Sequence, residues 1–281
     1  MMRALQPEVH DAVFAAIAGL LPPPPQHPLG CHRPRVPDRV CFQGLLLRIV
    51  TGAAWETIEF LLDRQVSDTT LRARRDEWIA AGVFDQLVAQ ARDAYDRMIG
   101  LDTSHVALDG SDQLAPCGGV GTAVGPAHKG RLGWKWCAAV EAAGIPLGWT
   151  IDGANRNDYA MLQPTLDVII ANPATAQIGT LHLDRGFGYP SLPDRLDGYP
   201  IEQLNVAWRN KPNQGRVLLA GFGRRRWVIE RSHSWLTNYG QLRRNTDRYP
   251  HHRHAALCLA TTILITHRLI DFRDQHCRPI R

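Results

Sequence analysis

The spacing of apolar residues changes once along this 281-residue chain, near residue 104, and that change limits the fold more than any other feature. Up to about Met98 apolar residues recur three and four apart, the period of an amphipathic helix; beyond it they alternate, the period of a strand. A helical region therefore precedes a domain built around a sheet. From Val40 to about Met98, Leu46, Ile49 and Val50 share one face before a Thr51-Gly52 break, and a second helix follows from Ala54 to Asp63. Ser67 is placed to cap a third helix, "DTTLRARRDEWIAAG", in which Leu71, Trp78 and Ile79 face inward and Gly82 ends the run. Arg72, Arg74 and Arg75 are then left to solvent. Helix, short break and arginine-rich helix is the layout of a helix-turn-helix, whose later helix can enter a major groove, although such an arginine face can equally be only solvated. Upstream, "LPPPPQHPLG" (21–30) forms a stiff linker after a short first helix, because proline fixes its backbone and removes a donor.

Beyond the change, "HVALDGSD", "LGWKWCAAVEA", "IPLGWTIDGA" and "GTLHLDRGF" read as strands, the second and third as arms of a hairpin. Between them "NDYAMLQPTLDVIIAN" carries Leu162, Leu166, Ile169 and Ile170 at helical spacing, with Asp158 as its expected cap. A further strand is expected in "YPIEQLNV", and helices around 226–239 and 252–270 close the chain. The fold class is α/β, with a mixed sheet flanked by helices. The expected divisions are 1–35 (first helix and linker), 36–100 (helical region) and 101–281 (sheet domain).

Two of the strands finish alike: "VALD" on Asp109 and "LHLD" on Asp184. In open α/β sheets, side chains at neighbouring strand ends converge on ligand sites, and two aspartates held together need a cation between them. Mg²⁺ suits that place as a hard ion that takes oxygen ligands. Each aspartate also adjoins a glycine turn, where it would serve as an ordinary turn former. The third acid is Glu230, alone among the basic residues of "GRRRWVIERSHSW". On a helix through 226–239, Val228, Trp235, Leu236 and Tyr239 would form the apolar stripe, with Arg226, Glu230, His233 and Thr237 on the other side. A surface pair of Arg226 with Glu230 would explain the acid but leave the aspartates unconnected.

Taken in order, "LDGSDQ", "GANRNDYAML", "LHLDRGF" and "RRRWVIERSHSWLTNYGQLRR" resemble the bacterial insertion-sequence DDE transposases, in particular the insertion-sequence-five group. "VPDRVCFQGLLLRIVTGAAWETI" and "VSDTTLRARRDEWIAAGVFDQL" resemble that group's helical DNA-binding region, so the likeness runs from about residue 36 to 270. The resemblance implies a ribonuclease-H-like core preceded by a small all-helical helix-turn-helix region, with Asp109, Asp184 and Glu230 as catalytic and metal-binding acids. It implies Mg²⁺ or Mn²⁺, two ions roughly 3.5 to 4 Å apart, serving in-line displacements at phosphorus. Its partners would be double-stranded DNA, both element ends and target, with the chain acting as a homodimer on that DNA. Arg72, Arg74, Arg75, Arg224, Arg225, Arg226, Arg231, Arg243 and Arg244 would hold the phosphate backbone. The chain departs from the family pattern at Gly223, where a tyrosine is usual, and at Thr237, where a lysine is; Arg243 or Arg244 would supply that cation instead. A DNA-binding relic without catalysis, or a nuclease that cuts without joining, remains as an alternative.

The remaining features agree with this reading. A formal charge of +5 favours a polyanionic partner. Cys31, Cys41, Cys117, Cys137, Cys258 and Cys277 form no close pair, which excludes a zinc ribbon or CxxC redox motif and suits a reducing cytoplasm. "AVFAAIAGLL" has acids rather than a basic leader before it, against a signal peptide, and "AALCLATTILIT" is short for a membrane span. "HHRH" (251–254) could suggest a metal site, but it follows Pro250 at the start of an apolar helix without spaced thiol or carboxylate partners, so it is expected to contact phosphate or solvent there. Trp134 and Trp136 are expected in the core, and "GGVGTAVGPAHKG" (118–130) as a flexible loop.

Overall fold

The computed structural model describes residues 5–24, 34–208 and 227–276. By its internal contacts the chain divides into two compact units, Met1–Met98 with Asn238–Asn245 and His251–Arg281, and Ile99–Thr237 with Thr246–Pro250.

The first unit is helical: α1 (Pro7–Ala18), α2 (Asp38–Thr51), α3 (Trp55–Leu61), α4 (Asp68–Ala80), α5 (Val83–Met98), α9 (Gly240–Arg243) and α10 (Pro250–His276). Its boundaries follow local chemistry. Ser67 accepts a hydrogen bond from the Thr70 amide at the start of α4, satisfying one of the free N–H groups there. Gly52 ends α2 with φ of 68°, a left-handed conformation that glycine adopts without a Cβ penalty. Leu71 and Trp78 are fully buried, Ile79 partly. Arg74 corrects the expectation for its neighbours: only 4% exposed, it is paired with Asp38 and Glu77 and donates to the Val36 carbonyl. A buried guanidinium persists only where its donors are satisfied, so Arg74 is a clamp within the helical unit and not a surface for DNA. Arg72 is half-exposed and held by Glu56 and Asp68; the Arg75 and Arg48 guanidiniums flank the Trp55 ring at 5.2 and 4.9 Å. The "HHRH" segment is also less open than expected, since Arg253 is fully buried and His252 meets Asp76 at 2.9 Å. α10 is long and apolar enough to cross a membrane, yet more than half of its most apolar stretch is buried inside the protein.

The second unit carries β1 (His105–Leu114), β2 (Ala123–Val124), β3 (Leu132–Val140), β4 (Pro146–Gly153), α6 (Asp158–Ile170), β5 (Ile178–Leu183), α7 (Leu192–Leu196), β6 (Ile201–Val206) and a helix, α8, over the described residues 227–237. β4, β3 and β1 run antiparallel, β1, β5 and β6 parallel, and the short β2 prolongs the β4 edge of β3. This mixed sheet between helices, after an N-terminal helical region, meets the expectation of a ribonuclease-H-like fold. The 118–130 stretch is not all loop, since it supplies β2 and a 3-10 turn at Pro126–His128. Val106, Leu108, Cys137, Ala139, Leu181 and Leu183 form the face packed against Leu162, Leu166 and Ile169 of α6. α6 is capped by Asn157, whose side chain accepts from the Tyr159 amide; Asp158, the expected cap, is its first residue and is otherwise engaged.

In the helical unit, the α2 end and α9 meet through backbone. A Cβ on Gly52 would lie 2.7 Å from the Gly240 carbonyl carbon, and one on Gly240 would lie 2.3 Å from the Thr51 oxygen. Gly52→Ala and Gly240→Ala should each lower stability by about 1–3 kcal/mol in urea titrations. Gly19→Ala, with nothing within 4 Å of its Cβ, should leave the midpoint almost unchanged.

Candidate active site

The two aspartates are brought level by strand register. β1 and β5 pair in parallel from His105 opposite Thr180 to Leu108 opposite Leu183, so Asp109 and Asp184 are the next residues on adjacent strands. Adjacent strands lie about 4.8 Å apart and register partners project to the same side, which puts both carboxylates on one face. Asp109 is not at a strand end, as the sequence suggests. β5 stops at Leu183, but β1 continues to Leu114 because antiparallel β3 pairs with it throughout, Asp109 opposite Ala138. The parallel neighbour, not the strand, ends beside Asp109. Both aspartates are half-buried and each also holds a backbone amide: Asp109 accepts from Gly110 at 2.8 Å, Asp184 from Gly186 at 2.7 Å. The turn role and the ligand role are thus compatible in one side chain.

Glu230 is exposed on α8, and α8 packs on the Asp109 face. On that face, by alternation and register, lie Ala107, Asp109, Ser111, Trp134, Trp136 and Ala138. The Trp136 indole donates to His233 Nδ1 at 3.0 Å, leaving the imidazole proton on Nε2, and the Asp109 backbone interacts with the same ring. His233 is only 9% exposed, which corrects its expected place beside Glu230 on the open side. The buried face of α8 is Ile229, Ser232, His233 and Leu236, turned from the expected stripe; Trp235 is half-exposed. The helix is also seated at the β3–β4 turn: Ser232 Oγ donates to the Gly144 carbonyl at 2.7 Å, and Arg231 to the Ala143 carbonyl at 2.7 Å. Arg231, expected on DNA, is turned back on its own unit, with Trp227 and Trp235 rings 5.4 and 4.8 Å from its guanidinium. Arg224, Arg225, Arg226 and Gly223 lie outside the described residues. Thr237 bonds back to the Ser234 carbonyl, and Arg243 and Arg244 are exposed in the helical unit.

Sequence reasoning missed the groups that brace this arrangement. On the opposite face of the sheet Lys135, 6% exposed, reaches Asp158 at 2.9 Å, Asp112 at 3.4 Å and the Arg156 carbonyl at 3.0 Å. Burial pulls the ammonium down, but the hydrogen bond and charge of Asp158, with those of Asp112, outweigh it and leave Lys135 above its ordinary value. Asp112 is shifted up, mainly by burial. Asp112 and Asp158 therefore belong to this ion cluster and face away from Asp109. Beside the aspartates, Asn205 donates to His182 Nδ1 at 3.3 Å, and His182 Nε2 lies 3.1 Å from His105 Nδ1. The legible signal for Lys135 was a lysine between two tryptophans in an otherwise apolar strand; for His233 there was none.

The all-oxygen donor set of Asp109, Asp184 and Glu230 fits a hard divalent ion such as Mg²⁺ or Mn²⁺. It is open: among the described residues, the group whose ligand atoms all lie within 4.8 Å of one another is a different one, Asp85, His254 and Cys258.

Burial lowers the His233 pKa from 6.5 to about 4. The folded state resists its protonation, so this contribution to stability is complete above pH 6.5 and lost as pH falls toward 4. Between pH 7 and 5 the wild type should lose about 2 kcal/mol more than His233→Gln, measured by urea unfolding at both pH values.

Comparison with known proteins gives a consistent result. A family model described as "Transposase DDE domain" matches residues 100–265, and one described as "Putative transposase of IS4/5 family" matches residues 9–88. The chain is 29% identical over 132 residues to a Burkholderia cepacia protein named "Putative transposase for insertion sequence element IS402". That likeness covers 45% of this chain and 60% of the relative. No solved structure matches.

Proposed function

The chain belongs to the DDE-domain transposases of insertion sequences, and from that premise we propose that it cuts the ends of an insertion sequence and joins them to target DNA. One observation carries the reading: strand register sets Asp109 and Asp184 side by side, and the helix that packs on the same face presents Glu230. A turn-forming or surface ion-pair role would require neither this levelling nor a shared face.

In this reading Asp109 and Asp184 would hold one ion and Glu230 would help hold a second. The chemistry such ions would supply is activation of an attacking water or DNA 3′ hydroxyl and stabilisation of the leaving 3′ oxygen. The chain's own residues fix the frame. β1 and β5 keep the aspartates at one level, the backbone amides of Gly110 and Gly186 orient one oxygen of each, and His233 pins α8 to the sheet. Cutting and joining are both in-line displacements at phosphorus, so one set of carboxylates serves both without a covalent enzyme intermediate. Arg72 on α4, Arg243 and Arg244 are the described arginines we assign to phosphate contacts; Arg74 is excluded by its burial, and Arg75 by a largely covered side chain that pairs with Asp76 and lies over the Trp55 ring. Two element ends must be handled together, which favours a homodimer on DNA, and DNA as substrate places the protein in the cytoplasm.

Glu230→Gln should abolish Mg²⁺-dependent cleavage of DNA carrying the element ends, with a loss of at least about a hundredfold, while DNA binding stays within about threefold. A variant that still cleaves would remove Glu230 from the site, and binding without cleavage by wild type would favour the DNA-binding relic. Chelation with EDTA should stop cleavage and excess Mg²⁺ restore it. Strand joining in the same assay separates a transposase from a nuclease.

A further inference from the structure

The helical unit contains a second group of metal-type ligands, chemically unlike the three carboxylates. His254 and Cys258 lie four residues apart on α10 and so share one face, and Asp85 meets them from the first turn of α5. His254 Nε2 is 2.6 Å from Asp85 Oδ1 and 3.4 Å from Cys258 Sγ, and all three ligand atoms lie within 4.8 Å of one another. Burial is graded across the group: Cys258 is fully buried, His254 partly, and the Asp85 side chain is 64% exposed. The group therefore has a dry inner end and an opening to water.

We propose that Asp85, His254 and Cys258 bind a divalent transition-metal ion of the zinc type, which ties α5 to α10 and keeps its fourth position for water. Thiolate, imidazole and carboxylate together are a borderline-soft set, suited to Zn²⁺ and poorly suited to Mg²⁺. The geometry needs little change. With metal–ligand bonds of about 2.0 to 2.3 Å, tetrahedral ligands stand roughly 3.3 to 3.6 Å apart. The sulfur–nitrogen separation of 3.4 Å already meets this, and the nitrogen–oxygen separation of 2.6 Å must open by less than about 1 Å. A proton now bridges Nε2 and Oδ1 where the ion would sit. On binding, the Cys258 thiol loses its proton to solvent, and His254 offers the Nε2 lone pair with its proton on Nδ1. Burial pushes the Cys258 thiol up, while the hydrogen bond from His254 holds the Asp85 carboxyl down. The charged group facing both Asp85 and Cys258 is the half-buried Arg92, which Asp93 also faces. Two anionic ligands neutralise a divalent ion, so binding brings no net positive charge against Arg92.

The test uses the full chain purified without chelators. Co²⁺ should bind in one equivalent and give the near-ultraviolet thiolate-to-cobalt band, and Zn²⁺ should displace it and raise the thermal midpoint. Cys258→Ser should abolish the band; Cys117→Ser, which changes an exposed thiol outside the group, should keep it. Since Cys258 is buried and its variant could fold poorly, Asp85→Asn at the exposed ligand gives a second reading, with Co²⁺ affinity falling roughly tenfold or more. No band in the wild type, a band that survives Cys258→Ser, or unchanged affinity in Asp85→Asn would each overturn the proposal.

Discussion

The parallel pairing of β1 with β5 is the constraint on which the candidate active site rests. Side chains along a strand alternate between faces, so slipping β5 by one residue would send Asp184 to the α6 side and bring Leu183 to the Asp109 side. The core prevents that slip. Leu181 and Leu183 are fully buried with Val106 and Leu108 against α6, and they can remain there only if the polar residues between and after them face the other way. The same hydrophobic burial that holds the sheet to α6 thereby selects the side on which both aspartates emerge. The pairing of the two aspartates on one face is a by-product of core packing, and it needs no long-range electrostatics to form.

The two faces of the sheet are braced differently. Toward α6, a buried lysine meets two aspartates and a carbonyl, an arrangement that would be costly if any partner were missing. Toward α8, the brace is a neutral hydrogen bond between an indole and an imidazole inside an aromatic layer, with the Trp134 and Trp136 ring centres 5.1 Å apart. A neutral brace keeps fixed positive charge away from Asp109 on the face where a divalent ion would have to compete for it. The charged brace lies behind the sheet, where it can stiffen β1 and β3 without occupying the open face.

The parts of this architecture that were legible in the sequence are those decided locally. Ser67 caps, Gly52 and Gly82 terminate, and the alternation through "VALD" and "LHLD" marks strands, because each depends on a residue and its immediate neighbours. The side-by-side placement of Asp109 and Asp184 was also legible, in the like endings of "VALD" and "LHLD". What was misread depends on distant partners. Arg74 is buried because Asp38, 36 positions away, receives it; His233 is buried because Trp136, 97 positions away, donates to it. Asp109 was taken for a strand end because nothing near it in the chain tells how far β3 will follow β1. The metal reading of "HHRH" was set aside although Cys258 follows His254 by one helical turn, and the carboxylate that completes the group, Asp85, lies 169 positions earlier.

The β3–β4 turn has a consequence of its own. Glu141, nearly fully buried, receives the Ala143 and Ile145 amides and so fixes the course of the turn, and the carbonyls of Ala143 and Gly144 then receive Arg231 and Ser232 of α8. There is no slack at this junction, since a Cβ on Gly144 would lie 2.8 Å from Ser232 Oγ. The turn thus works as a mechanical datum from which the third carboxylate, Glu230, is positioned, one residue before Arg231. Loop length, usually the most freely varied dimension of a sheet, is here a tolerance of the candidate site.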